Sequence, residues 1–375
     1  MKNIVYFDFI RFPTEKAHGY QIARTCEALS AHGNVQIVLP GRRNGITQSP
    51  DEYYGLTKPL DVTFLRFPDF LVFSRFFSGR TLTAVLYIGR LAFLLQFAVE
   101  FFHLRKKVTV YSRNFLAALL ARCGYSVVLE EHEPPINGWR AFLYERLLSI
   151  VSGVVCISRG VDLRIRELCP GVLTAVVPDA TDPADYSAGR QECRERLGLP
   201  QDAFIAGYTG SLAIPWKGVR TLLQAADQAP EIMFLIVGGT AEEMLKFGRA
   251  LPENVRYISR RPQKEIPALQ AACDVLVIPN LFTDANSCRF TSPLKLFEYF
   301  ASGVPVVASD VPSLRDIAGD AALYFRPGDA EDLVKCLRKL RAGKLPNMEL
   351  AQRIAEENTW ENRGRRIAEK INEWE

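Results

Sequence analysis

Short runs of β-branched and aromatic residues alternate with amphipathic stretches of helical period along both halves of the chain. This alternation predicts parallel strands joined by helices, because a strand that is covered on both faces is a continuous apolar run. The predicted strands are 3–9, 35–39, 108–111, 126–130, 153–157, 172–177, 204–209, 233–237, 255–258, 275–279 and 304–308. The predicted helices include 18–32, 114–123, 141–151, 218–228, 241–250, 266–272 and 359–374. The pattern therefore predicts an α/β protein with doubly wound, Rossmann-like sheets.

The 375 residues exceed what one ordinary hydrophobic core holds, so two domains are expected. The stretch 182–197, around Pro183 and Gly189, is the predicted junction. Ligands of doubly wound sheets bind at the carboxyl ends of the strands. The cleft between two such domains that face each other is therefore the expected site.

The segment 291–307 carries the most specific local signals. Ser292 is a good N-cap residue, Pro293 suits the first helical position, and Gly303 suits a left-handed C-terminal cap. The start of such a helix offers free N–H groups and a partial positive charge. This end of the helix can therefore bind an anion.

Lys295 adds a cation to the first turn, where the helix dipole does not favour one. A cation there is explained if an anion binds beside it. Glu298 lies three residues further on the same helix face, so the two residues suit a ligand with phosphates at one end and sugar hydroxyls at the other. The alternative is an exposed Lys295–Glu298 ion pair on an ordinary capped helix.

Two further loops of the second half also suit phosphate. Gly210 and Ser211 follow the first strand, and Lys217 opens the next helix. A glycine turn with a lysine at a helix start favours an anion, and the alternative is an ordinary loop with a solvated lysine. Gly238 ends the following strand, where a small residue lets a ligand approach the backbone. The loops at Lys217 and at 292–295 together fit a diphosphate better than either alone.

The first half offers weaker signals. His132 stands in the acidic sequence 130–134 after a predicted strand. It is a candidate to hydrogen-bond a sugar hydroxyl or to assist a leaving group, and the alternative is a surface loop residue beside acids. Gly19 ends the turn 16–19 after the first strand, where it would let a sugar or backbone come close.

Composition narrows the classes of function. The net charge of +4, with no basic run interleaved with aromatics, argues against a nucleic-acid partner. Neither half has G-x-G-x-x-G after its first strand and no Walker A sequence is present, which disfavours hydride transfer and P-loop phosphoryl transfer. The eight cysteines are scattered and the four histidines lie far apart, so no metal site is expected. The same cysteine pattern predicts reduced thiols and a cytoplasmic location. The early first strand leaves no room for a signal peptide.

The stretch 81–102 is strongly apolar but has Arg90 at its middle. An arginine at the centre of a bilayer costs about 2.5 to 3.5 kcal/mol, so a spanning helix is not expected. Arg75, Arg80, Arg90 and the basic run 105–107 surround many Phe and Leu residues, which suits a surface that docks on anionic lipid. The alternative is a largely buried domain helix with a basic end.

Several motifs resemble those of the family 4 retaining glycosyltransferases, which have the GT-B fold. The motifs stand in the family's order over nearly the whole chain, at 13–19, 131–133, 210–218, 237–240, 292–299 and 303–309. The resemblance implies an acceptor-binding domain over 1–183, a nucleotide-sugar-binding domain over 184–358, and a last helix, 359–375, that crosses back to the first domain. It implies a nucleotide-diphosphate sugar as donor substrate, no cofactor and no metal. It also implies retention of the anomeric configuration by front-face attack.

The same resemblance implies roles for individual residues. Three would be catalytic: His132 would face the transferred sugar, Lys217 would grip the diphosphate, and Glu298 would bind the ribose hydroxyls. The nucleotide base would sit near Arg260 and Arg261, and the backbone amides around Leu294 and Lys295 would meet phosphate. The donor-binding residues would be Gly19, Gly210, Ser211, Gly238, Arg261, Ser292, Leu294 and Lys295.

Two positions depart from the family. Phe290 stands eight residues before Glu298, where a glutamate is usual, and Ser211 stands where an arginine is usual. Replacement contacts to the sugar would come from Asp284, Asn286 or Ser287, and to the diphosphate from Arg289 or Arg261.

The predicted function is sugar transfer to a saccharide or lipid-linked acceptor, in the synthesis of a cell-surface polysaccharide or glycolipid. The predicted location is the cytoplasm, peripherally on the inner face of an anionic membrane. One alternative is a nucleotide-sugar-binding subunit that has lost catalysis, which Phe290 and Ser211 motivate. The other is a sugar-nucleotide epimerase, which would need acidic residues over the sugar ring.

Overall fold

A computed structural model describes residues 2–70, 76–183, 186, 189–248, 250–283 and 285–374. The chain forms two compact units, one of Met1–Pro178 with Trp360–Glu375 and one of Asp179–Thr359. The first boundary thus falls after Pro178, whereas the sequence placed it after residue 183. Part of the predicted junction 182–197 lies outside the described residues.

The first unit is built on a seven-stranded parallel sheet in the order β3-β2-β1-β4-β5-β6-β7. The strand at the β3 edge was not predicted, because most of its residues are at least partly exposed and it lacks a continuous apolar run. The strands are β1 (Lys2–Phe7), β2 (Gly33–Pro40), β3 (Asp61–Leu65), β4 (Val108–Ser112), β5 (Ser126–Glu131), β6 (Gly153–Cys156) and β7 (Thr174–Val176).

The last helix of the chain belongs to the first unit and packs on its first helix. The contact is close, because a Cβ on Gly364 would lie 2.6 Å from the Cβ of Ala28. The segment predicted as a helix at 114–123 is the 3-10 helix Phe115–Cys123. The α-helices of this unit are α1 (Ala17–Ser30), α2 (Pro50–Tyr54), α3 (Gly79–Glu100), α4 (Gly138–Leu148), α5 (Arg159–Leu168) and α14 (Trp360–Glu373).

The second unit contains a six-stranded parallel sheet in the order β10-β9-β8-β11-β12-β13. Its strands are β8 (Ile205–Thr209), β9 (Met233–Val237), β10 (Val255–Ile258), β11 (Val275–Ile278), β12 (Val306–Ser309) and β13 (Ala322–Phe325). Its helices are α6 (Arg190–Leu197), α7 (Val219–Gln228), α8 (Ala241–Leu245), α9 (Ile266–Ala271), α10 (Leu294–Ala301), α11 (Pro312–Ala318), α12 (Ala330–Arg341) and α13 (Met348–Glu357).

In both sheets the strand order reverses beside the first strand of the unit, between β1 and β4 and between β8 and β11. Parallel sheets open a crevice for ligands at the carboxyl ends of the strands at such a switch point. The strands nearest the second switch point, β8 and β11, are buried at every residue. The predicted architecture of two doubly wound α/β sheets is confirmed, and each sheet has one switch point at which to look for a site.

Candidate active site

Two glycines bring the ends of β8 and β9 into direct contact in the second unit. Gly210 follows β8 with φ +155°, and its N–H donates to Val237 at 2.9 Å. Gly238 follows β9 with φ +134°, and a Cβ there would overlap the carbonyl oxygen of Gly210. Any larger residue at 238 would push the two loops apart. The sequence predicted that these glycines let a ligand come close to the backbone. In the structure they let the two backbone segments after β8 and β9 pack against each other.

Lys295 lies in the first turn of α10 with its side chain buried against Gly210. Its Nζ lies 4.1 Å from the centre of the Tyr208 ring and would be 2.8 Å from a Cβ on Gly210. The residue is only 8% exposed, and its Nζ finds no hydrogen-bond acceptor among the described residues. Burial, and then the positive charge of Lys217, lowers the pKa of the Lys295 ammonium well below its usual value. The alternative of an exposed lysine in a surface ion pair does not fit this position.

Lys217 ends the 3-10 helix Pro215–Lys217, directly before α7. The chain turns there at Gly218, whose φ is +69° and where a Cβ would collide with the backbone after β11. Burial lowers the pKa of Lys217, so this ammonium is not a freely solvated one. The structure thus brings Lys217 and Lys295 within electrostatic reach of one another, and both sit where water stabilises their charge poorly.

Glu298 is held in place by two glutamine side chains. Its Oε1 accepts from Gln263 at 2.8 Å and its Oε2 from Gln270 at 3.4 Å. Gln270 also donates to Thr209 Oγ1 at the end of β8, at 3.0 Å. The charge of Glu298 acts to raise the pKa of Lys295, but less strongly than burial lowers it. Glu298 therefore lies within electrostatic reach of Lys295, as expected for two residues on one helix face.

The prediction that Ser292 caps the helix of segment 291–307 is wrong. The helix α10 begins at Leu294 after Pro293 and has no side-chain cap. Ser292 Oγ instead accepts from the backbone N–H of Asp179 at 3.0 Å. The serine is buried and bonds a segment distant in sequence. The predicted left-handed glycine after the helix is confirmed, because Gly303 has φ +68°.

The other residues predicted to bind the nucleotide-sugar differ in how exposed they are and in what they contact. Arg261 is half exposed, with its Nη1 3.9 Å from Glu265, and Ser211 uses its carbonyl oxygen to accept from the Tyr208 hydroxyl at 3.0 Å. Phe290 is buried in a π-helical turn, and Ser287 of the same turn is fully buried. Arg289 is exposed, Asp284 lies outside the described residues, and the side chain of Asn286 is not described.

His132 is fixed by a buried network at the end of β5 in the first unit. Its Nε2 lies 2.6 Å from Glu130 Oε1. The Glu130 carboxylate also accepts hydrogen bonds from Arg363 Nη2, at 2.8 Å, and from the Tyr111 hydroxyl. Burial, and then the charge of Arg113, lowers the pKa of His132 to about 4. Burial alone would raise the pKa of Glu130, but Arg363 and His132 outweigh it and the pKa is lowered. At neutral pH the neutral imidazole therefore donates from Nε2 to the Glu130 carboxylate and keeps Nδ1 as an acceptor.

Gly19 has a packing role in the first unit. It lies near the start of α1, and a Cβ there would overlap the Tyr54 hydroxyl and approach Thr14 Cγ2 to 2.5 Å. The Tyr54 hydroxyl donates to the Thr14 carbonyl at 2.9 Å and accepts from its N–H at 2.7 Å. Whether Gly19 also contacts a donor stays a prediction. The adjacent His18 has its pKa lowered to about 4 by burial and by the charge of Arg113.

Several residues near the carboxyl ends of the strands in the two sheets were not identified from the sequence. Arg113 follows β4 and donates to Gln21 at 2.7 Å, and Tyr208 provides the ring beneath Lys295. An arginine directly after a buried strand is a signal that could have indicated Arg113. Arg363 gives no such signal, because it reads as part of the polar face of a terminal helix. Over the described parts of the chain, no group of three His, Cys, Asp or Glu side chains could hold a metal ion.

Comparison with known proteins finds a family match within the second unit. Residues 203–342 match the family described as glycosyl transferases group 1. A 2-deoxystreptamine glucosyltransferase of Streptomyces kanamyceticus is 28% identical over 178 residues, which covers 44% of this chain and 44% of that enzyme. The chain thus spans about half the length, or less, of the first curated relatives that it matches.

Solved structures of the same fold cover the whole chain. Sucrose-phosphate synthase from Thermosynechococcus elongatus superposes with a TM-score of 0.77 at 17% identity, over 100% of this chain and 99% of that one. HepE from Anabaena, in complex with UDP-glucose, superposes with a TM-score of 0.72 at 17% identity, over 100% of both chains. These likenesses show the fold, which is the predicted GT-B fold.

Proposed function

We propose that this protein is a retaining glycosyltransferase that takes its sugar from a nucleoside diphosphate donor bound by the second unit. The observation that carries the proposal is the buried Lys295 ammonium, which has no acceptor among the described residues and is near enough to Lys217 to be affected by its charge. A buried cation is stabilised by an anion, and two such cations match a diphosphate. The glycosyl transferases group 1 match over 203–342 and the UDP-glucose bound to HepE support a nucleotide-sugar.

In the proposed reaction the bond between the sugar C1 and the diphosphate oxygen breaks, and the acceptor hydroxyl oxygen bonds C1 on the same face. The hydroxyl proton passes to the departing diphosphate. Lys217 and Lys295 stabilise the negative charge that develops on the leaving group, and preorganised cations in a buried site do this effectively. In this proposal the two ammonium groups supply the positive charge, so transfer requires no metal ion.

The proposal gives the other predicted residues supporting roles. Glu298 binds the ribose hydroxyls, because its two carboxylate oxygens are oriented by Gln263 and Gln270 and can each accept a further hydrogen bond. In the first unit, which binds the saccharide or lipid-linked acceptor, His132 hydrogen-bonds the transferred sugar. The proposed setting is the synthesis of a cell-surface polysaccharide or glycolipid on the inner face of the membrane.

A second candidate function, a nucleotide-sugar-binding subunit without catalysis, is favoured by Phe290. This side chain is 3% exposed and apolar at a position where the resembled family often has a glutamate. A buried phenylalanine cannot replace the hydrogen bonds of a carboxylate. Binding of the diphosphate by the two lysines would survive this change, whereas positioning of the sugar would not.

Donor hydrolysis distinguishes the two candidates. The full chain is incubated with UDP-, GDP- and ADP-sugars, and released nucleoside diphosphate is measured beside binding by calorimetry. Slow release of one nucleoside diphosphate, abolished in Lys217→Met, supports the transferase. Tight binding without release supports the binding subunit. If no nucleoside diphosphate or nucleotide-sugar binds at millimolar concentration, both candidate functions are wrong.

A further inference from the structure

One long helix of the first unit has an apolar face that its own fold leaves open. The exposed apolar residues of α3 follow one another at helical spacing and form a continuous stripe, which we call the outer face. It consists of Ala84, Ile88, Leu91, Ala92, Leu95 and Val99, with Phe102 just beyond the helix. Leu95 is 66% and Val99 69% exposed. The first acidic residue of α3 is Glu100 at its very end. With 22 residues the helix is about 33 Å long.

The opposite face of α3 is part of the core of the first unit. Phe93 and Phe97 are fully buried, and their rings lie 5.3 Å and 4.8 Å from the ring of Phe7 in β1. The segment Thr81–Glu100 is long and apolar enough to cross a membrane, but only 28% of its most apolar window is buried. The alternative of a largely buried domain helix is therefore wrong. A helix fixed to the sheet along one side fits a position on a membrane better than one across it.

The neighbouring helix α4 extends the apolar surface. Its Trp139 meets Tyr87 of α3 edge to face, with ring centres 6.1 Å apart. Trp139 is 63% exposed, and Phe142, one turn further on, is also exposed. Both α3 and α4 pack on the 3-10 helix Phe115–Cys123, so the same support holds them. Tryptophan favours the membrane–water interface, and Trp and Phe are typical of the apolar face that an interfacial helix buries at the headgroup boundary.

Basic residues accompany these aromatic side chains. Arg146 lies over the ring of Phe142, with 5.0 Å to its centre, and Arg105 over that of Phe102, with 3.9 Å. Arg140 of α4 and the residues Lys106 and Lys107 after α3 are exposed as well. Of the other predicted basic residues, Arg90 is half-buried with its guanidinium 5.5 Å from the centre of the Tyr87 ring, Arg75 lies outside the described residues, and the side chain of Arg80 is not described.

We propose that the outer face of α3, together with Trp139 and Phe142, docks this protein on a bilayer that contains anionic lipid. An apolar stripe edged by arginine and lysine offers hydrocarbon contacts and headgroup contacts at once, and an anionic bilayer supplies both partners. Docking does not depend on the proposed sugar transfer. If that transfer also takes place, docking brings the acceptor-binding unit to a lipid-linked acceptor.

The test is co-sedimentation of the full chain with vesicles of phosphatidylglycerol and phosphatidylcholine, or of phosphatidylcholine alone, at low and high salt. We expect at least about tenfold stronger partitioning to the anionic vesicles at low salt, reduced at high salt because salt screens the basic residues. Arg140→Ala with Arg146→Ala should weaken it by about fivefold per residue. Lys344→Ala with Arg353→Ala, an exposed basic pair in the second unit, should leave it unchanged.

The apolar contribution is tested with Leu95→Asp and Val99→Asp. Each should weaken partitioning by at least about tenfold, because an apolar side chain that docking would bury in the bilayer is lost and a negative charge then faces the anionic lipid. Leu245→Asp, which changes a leucine 74% exposed in the second unit, is the matched control. Thermal unfolding checks that all variants fold. Equal weak binding to both vesicle types, or unchanged binding of both Asp variants, would overturn the proposal. So would a dimer in solution that Leu95→Asp dissociates, since a second copy would then occupy the outer face.

Discussion

Replacing Lys295 with methionine tests the central feature of the candidate site. The substitution keeps the length and apolar stem of the side chain but removes an ammonium that is buried without an acceptor among the described residues. Loss of a charge-assisted hydrogen bond to a phosphate should weaken binding of the preferred nucleoside diphosphate by about 1.5 to 3 kcal/mol, roughly ten- to a hundredfold. Calorimetry with UDP, GDP and ADP measures this loss.

The same substitution should leave the ligand-free protein at least as stable as before. Methionine forfeits the cation–π contact with Tyr208, worth about 0.5 to 2 kcal/mol, but it also removes a buried charge whose desolvation penalty is larger. An ordinary surface lysine would show neither effect. Lys344→Met, at an exposed position of the same unit, is the matched control.

Proton uptake gives an independent readout of Lys295. The pKa of its ammonium is lowered in the folded protein, so between that value and the ordinary 10.5 the unfolded chain binds more protons. Stability of the ligand-free protein should therefore rise with pH across this window, and Lys295→Met should remove that rise. A bound anion raises the pKa again, so nucleotide binding should take up protons in the same window. Calorimetry in two buffers of different ionisation enthalpy measures the uptake.

Two results would refute the assignment of Lys295. One is unchanged nucleoside diphosphate affinity in Lys295→Met, with the control variant also unchanged. The other is binding without proton uptake at every pH up to that of an ordinary lysine. Either result would mean that the buried ammonium has a purely structural function and that the diphosphate binds elsewhere.

Three further predictions concern the networks around the site. Arg363→Met leaves Glu130 as an uncompensated buried charge and should reduce the free energy of unfolding by about 3 to 5 kcal/mol. Adding Glu130→Gln removes that charge and should restore part of the lost stability, and urea titration of both variants measures the two effects. Because the folded pKa of His132 is about 4 against 6.5 unfolded, stability should fall as pH drops between these values, with a smaller slope in His132→Gln by thermal unfolding. Gly238→Ala should destabilise more than Gly343→Ala, since both have positive φ but only position 238 lacks room for a Cβ, and equal melting temperatures would contradict this.

The fold could be predicted because a buried parallel strand is recognisable from its own few residues. Val275–Ile278 and Val306–Ser309 are completely buried, and their β-branched composition shows it without any knowledge of their neighbours. The helix that follows 291 could be predicted for the same reason, through its proline and glycine. Its predicted cap failed because Ser292 bonds Asp179, a partner that no local pattern identifies.

The site could be predicted only in part. The unfavourable cation at a helix start indicated Lys295, but its burial on Tyr208 and its proximity to Gly210 arise from the meeting of separate strands. Arg363 could not have been assigned, since it looks like one charge among several on an amphipathic helix and yet is 2% exposed. For α3, hydropathy established how apolar the helix is, whereas only the packing of Phe93 and Phe97 decides which side is covered.

The first unit is discontinuous in sequence, and this has a consequence for its biogenesis. Residues of α14 complete the core around α1, and Arg363 donates to Glu130 and to the carbonyl oxygens of Val177 and Pro178. A ribosome makes the 181-residue stretch Asp179–Thr359 before it makes α14. The second unit can therefore finish folding during synthesis while the first still exposes Glu130 and an apolar groove on α1. The first unit thus completes its core only after the second half has been translated, and until then its open apolar groove favours aggregation.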